Sequence, residues 1–154
     1  MKRSILWMAA AVLFLGAGSA MAADTANVQV TATVVGSCSF ATIPTVDFGN
    51  LDPTANVLVN APAVDLTFNC TTGVPYTLTD NKGGINGSLS STLDDGSGNT
   101  IPYSLTYNNY AGVGAGAGVG NEIVSTLAGT IAANTYGGAP AGIYTDTIVF
   151  TINP

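Results

Sequence analysis

The sequence predicts an all-β sandwich of about seven strands, and three observations carry that expectation. After residue 22 no stretch repeats its apolar residues near every ~3.6 positions, so no amphipathic helix has a face to bury. Apolar and polar residues alternate instead in short runs, which is the period of a half-buried strand. Clusters of Gly, Pro and Asn separate the runs at the spacing of sandwich turns.

Residues 1–22 precede that pattern. A basic start at Lys2 and Arg3, an apolar run from Ile5 to Leu15, and small residues at Ala20 and Ala22 predict a secretory signal cleaved after Ala22. The run is shorter than the ~18 residues a membrane span needs. Residues 23–154 remain, enough for one domain with its own core. Lys82 is then the only cation against nine acidic residues, which argues against nucleic acid as a partner.

The stretch NVQVTATVV, residues 27–35, puts Val28, Val30, Ala32 and Val34 on one face of a strand and Gln29, Thr31 and Thr33 on the other. It stands ahead of enough strands for a whole sandwich, so its pairing partner decides the function. Cys38 and Cys70 are the only cysteines, and export places them in an oxidising compartment, where they are expected to bond to each other. Closing that loop stabilises the fold by roughly 3 to 4 kcal/mol in the chain-entropy view.

CSFATIPTVDFGNL, residues 38–51, reads as a strand broken by Pro44, with Phe40 and Phe48 in the core. In AVDLTFNC, residues 63–70, Val64, Leu66, Phe68 and Cys70 point inward. PYTLTD and GSLSSTL make two strands around the turn cluster NKGG, and DDGSGN ends the pair. IPYSLTY sets Ile101, Tyr103, Leu105 and Tyr107 in phase, and NEIVSTLAGTI supplies a further strand. IYTDTIVFTIN closes the chain with Tyr144, Ile148, Phe150 and Ile152 on one face; Asp146 shares the phase and is expected at the strand's wet end.

Catalytic chemistry has little to work with. Histidine is absent, so neither a Ser nor a Cys nucleophile has an imidazole base and zinc has no His ligand; no enzyme activity is expected. Asp94 and Asp95 are adjacent and should point apart, unlike a glycosidase pair. DDGSGNT lacks the closing Glu and flanking helices of a calcium loop and reads as a hairpin turn. The glycine run at residues 111–121 reads as a mobile hairpin loop, since a phosphate cradle needs a strand-to-helix setting. NCT at residues 69–71 and NGS at residues 86–88 match the glycan acceptor pattern. Among the tyrosines, Tyr110 and Tyr136 are flanked by loop residues and are the two whose exposure bears on sugar stacking.

Three patches, CTTGVPYTL at residues 70–78, IPYSLTY at residues 101–107 and AGIYTDTIVFTI at residues 141–152, resemble the spore coat protein U domain family. That family includes the pilin subunits of archaic chaperone-usher systems in Gram-negative bacteria. The resemblance implies an immunoglobulin-like sandwich lacking its final strand, with a hydrophobic groove beside the C-terminal strand that a neighbour's N-terminal segment fills. By position it makes Val28, Val30, Ala32 and Val34 the donor strand, Cys38 and Cys70 the disulfide, and Tyr144, Ile148, Phe150 and Ile152 the groove-edge strand.

The same resemblance divides the chain into a signal (1–22), a donor-strand extension (23–36) and the sandwich domain (37–154). It implies neighbouring pilin subunits, a periplasmic chaperone and an outer-membrane usher as partners, with no cofactor, metal or small-molecule substrate. The expected function is that of a shaft subunit of an extracellular pilus, secreted through the periplasm and serving attachment and biofilm formation. The alternatives are a spore- or cell-surface coat protein and a glycan-binding adhesin module. The glycine run, the short turn before Ala141 and the lack of arginine after residue 22 depart from the family's habit.

Overall fold

The computed structural model describes residues 23–154; the expected signal lies outside them. The chain parts into two units between Thr33 and Val34. Residues 23–33 are exposed and carry no strand, and every strand falls within Val34–Pro154.

Nine strands and no helix make up the described chain: β1 (Cys38–Thr42), β2 (Val59–Asn60), β3 (Val64–Cys70), β4 (Pro75–Asp80), β5 (Ser88–Asp94), β6 (Thr100–Tyr107), β7 (Ala111–Val113), β8 (Ile123–Ile131) and β9 (Phe150–Asn153). One sheet runs β1-β3-β8-β6-β5, with β2 also on β8; the other runs β7-β4-β9. Every ladder is antiparallel. This is an all-β sandwich, as the alternation predicted, and it is immunoglobulin-like, as the resemblance implied.

The inward faces make one core. Leu66 and Phe68 of β3, Tyr76 and Leu78 of β4, Ile101, Leu105 and Tyr107 of β6, and Leu127 and Ile131 of β8 are all buried. Aromatic contacts join the layers edge to face: Phe68 on Tyr76 at 5.1 Å and Tyr107 on Phe150 at 5.2 Å. Each such pair adds about 0.5–1.5 kcal/mol beyond its buried area.

Cys38 and Cys70 stand directly opposite in the β1–β3 ladder and form the expected disulfide, with an S–S distance of 2.05 Å. The bond fastens an edge strand to the strand behind it. Beside it Thr71 and Ser37 exchange bonds: the Thr71 amide donates to the Ser37 carbonyl at 2.9 Å, and the Ser37 amide to Thr71 Oγ1 at 3.1 Å.

Three elements differ from the sequence expectation. The strands number nine because β2 and β7 are too short to show alternation. The glycine run opens with β7 rather than being loop throughout; Gly112 lies over Tyr76, where a Cβ would sit 2.7 Å from the phenol oxygen. The closing segment runs as a continuous ladder only from Phe150, although residues 144–149 keep the in-and-out alternation.

Candidate functional site

Two segments without ladders face each other across one edge of the sandwich. The first, residues 43–48, follows β1. Pro44 offers no amide for a ladder, and β1 stops at Thr42. Val46 and Phe48 turn inward and lie on Gly129 of β8, where a Cβ would sit 2.8 Å from Phe48 Cζ and 3.0 Å from Val46 Cγ1. The Phe48 ring meets Tyr103 edge to face at 5.9 Å.

The second wall, residues 143–149, leads into β9. Tyr144, Asp146 and Ile148 are half-buried, while Ile143, Thr145, Thr147 and Val149 face outward. Thr145 exchanges two main-chain hydrogen bonds with Asp94 at 2.9 and 3.0 Å. Val149 accepts from the Asn81 amide at 3.1 Å and donates to Asn81 Oδ1 at 2.8 Å. No main-chain hydrogen bond joins the two walls among the described residues.

Between the walls run two cavities, of about 690 and 320 Å³, which share Thr45, Val46, Phe48, Leu93 and Asp146. The smaller one reaches the core leucines Leu66, Leu105 and Leu127, none more than 4% exposed, so the groove is a narrow slot. Its edge strands, β1 and β9, each have one unpaired side. Chemically it offers an apolar floor and two rows of free backbone donors and acceptors, the binding surface of an extended peptide.

Two carboxylates line the slot, Asp47 and Asp146, and of these only Asp146 lines both cavities. Its carboxylate accepts from Lys82 Nζ at 2.6 Å, Ser91 Oγ at 2.7 Å, Tyr103 Oη at 2.8 Å and its neighbour's amide, Thr147 N, at 2.7 Å. Burial alone pushes its pKa up; the bonds from Lys82, Ser91, Tyr103 and Thr147 outweigh it and hold the carboxyl at about 2. Burial, and then the bond to Asp146, raise the Tyr103 phenol. Nearby, Asp80 accepts from Tyr107 Oη at 2.8 Å and from the amides of Lys82 and Gly84. There too burial raises and the hydrogen bonds lower, and the net effect is below the ordinary carboxylate value.

The expectation that Asp146 lies at a wet strand end is therefore corrected: its side chain is 12% exposed and faces the interior. Phase assigned it to the inward face, and three partners from other elements make that placement affordable. Lys82, Ser91 and Tyr103 were not singled out as its partners. The signal for Lys82 was its being the only cation after residue 22.

Val28, Val30 and Val34 are 82%, 89% and 84% exposed, Ala32 is exposed too, and none of the four lies in a strand. Tyr144, Ile148, Phe150 and Ile152 share one half-buried phase, the last two inside β9. Asp94 and Asp95 bond turn amides at Gly96, Ser97 and Asn99. No group of three His, Cys, Asp or Glu side chains among the described residues could hold a metal. Tyr136 is buried, its hydroxyl on the Val57 carbonyl at 3.0 Å, while Tyr110 is 37% exposed; the two make no shared stacking face.

An immunoglobulin-like sandwich with an apolar slot beside its last strand is a class of β domain with an open groove along one edge. The model of the Spore Coat Protein U domain matches residues 24–151, and the chain belongs to that family, which comprises the archaic chaperone-usher pilin subunits. It is a surface protein of pilus or coat type. No curated protein matches the chain. Among the described residues no helix is long and apolar enough to cross a membrane.

Proposed function

We propose that this chain is a structural shaft subunit of an extracellular pilus, polymerising by donor-strand complementation. Residues 27–35 of one copy enter the slot of the next, pairing with residues 143–153 and turning Val28, Val30, Ala32 and Val34 toward the floor. The observation that carries this reading is the pair of walls without a ladder between them, over core leucines.

The energetics favour it. Burying three valines and an alanine supplies roughly 5 to 8 kcal/mol gross, and each net hydrogen bond adds about 0.5–1.5 kcal/mol. Against this stands the ordering of a segment that carries no strand of its own. Insertion along the whole length is what tips the sum.

A free subunit exposes an unpaired edge beside apolar side chains, which invites aggregation. A periplasmic chaperone that lends a strand, and an outer-membrane usher that exchanges it for the next subunit's, meet that need. The fibre then serves attachment and biofilm formation. A coat layer would use the same joint and differ only in what the polymer covers. The glycan-binding reading is weakened by the burial of Tyr136.

Deleting residues 24–35 while keeping the signal tests the proposal. Secreted, folded subunits that form no fibres are the expected result; fibres of normal length would remove the donor assignment.

A further inference from the structure

A wall that is to receive a strand must stand still while keeping its own N–H and C=O groups free, and a side chain is the means of doing both. Among the described residues, 146–148 make no main-chain hydrogen bond to another element; Thr147 N donates to the Asp146 carboxylate. The Asp146 side chain makes the connection instead, reaching the turn after β4 through Lys82, β5 through Ser91 and β6 through Tyr103.

We infer that Asp146 is the positioning residue of the acceptor slot, bracing residues 146–148, between the main-chain bonds at Thr145 and Val149, in the place where an incoming strand pairs with them. The inference rests on the strand-exchange reading above. Lys82 is the sole cation after residue 22, and of the acidic residues it pairs with Asp146 alone. The side chains are 24% and 12% exposed, so salt screens the pair only weakly. Removing either partner leaves the other partly buried without its counter-charge.

The position of the brace separates this role from general stability. Asp146 lies at the point the two cavities share, facing Val46, Phe48 and Leu93 across the slot. With the brace cut, Ile148 and its neighbours are free to settle onto the core leucines and close the slot. The apparent affinity for a donor then falls in proportion to the fraction of molecules still open.

The test compares fibre growth by full-length mature chains carrying Lys82→Met, Lys82→Arg or Asp146→Asn, at equal concentrations of folded subunit, the folded fraction being read by circular dichroism. Growth about 10-fold slower or more in Lys82→Met and Asp146→Asn is expected, with most of the rate restored in Lys82→Arg. Hydrogen exchange at residues 146–149 should quicken in the slow variants. If Asp146→Asn does not fold, Lys82→Met decides alone. Folded Lys82→Met that grows at the wild-type rate overturns the inference, as does a loss of growth that only tracks the unfolded fraction. Wild-type chains that form no fibres would overturn strand exchange and the positioning role with it.

Discussion

At Gly129 the side chain is missing because Val46 and Phe48 lie where it would be. Gly129→Val should push both off β8 and toward the slot, lowering stability by roughly 1–3 kcal/mol in denaturant unfolding. Asp146 makes a second prediction at this scale. Its folded pKa, about 2, lies below the ordinary 3.8, so its contribution is fully present above pH 3.8 and drains away as pH falls toward 2. Asp80 is shifted in the same direction and loses its contribution in the same acid range. Thermal unfolding should therefore show a plateau from neutral pH down to about 4 and a decline below it, flattened in Asp146→Asn. Phe40, Phe48 and the four inward residues of β6 were legible in the sequence because alternation reports which way a side chain faces. The partners of Asp146 were not, since they come from three elements distant in sequence that only the closed sandwich brings together.

Among the elements, β3, β6 and β8 could be read almost to the residue, each being buried on one face and wet on the other. β7 could not, because glycine carries no facing information and the strand owes its place to Tyr76 and its neighbours. Residues 144–149 show a different limit: their alternation is real, but alternation records burial and says nothing of who supplies the ladder. The disulfide was legible from cysteine count and export alone. It bears on β1, an edge strand that bounds the slot region. Replacing Cys38 and Cys70 together with Ser should lower stability by roughly 3 to 4 kcal/mol, and the loss of amide protection should be greatest in β1. Equal loss across β6 and β8 would mean the bond staples the whole sandwich and has no special hold on that edge.

For the molecule as a whole, the proposed donor and the slot are separate parts of one chain, and each subunit would use one of each. A head-to-tail contact of this kind does not close on itself, so it builds a filament and not a ring or dimer. Spoiling one part while sparing the other gives a directional test. Val30→Asp places a carboxylate where the strand must meet apolar walls, a penalty of several kcal/mol. Its slot is untouched, because Val30 lies outside the slot-bearing unit. Such a subunit can accept a wild-type donor but cannot donate, so it should end a fibre wherever it joins. Mixed with wild-type chains it should shorten fibres, their mean length by electron microscopy falling roughly as the inverse of the variant's fraction, while the variant alone stays folded and unpolymerised. Fibres whose length ignores the added variant would mean that subunits join through some other surface, and that residues 27–35 have a different partner.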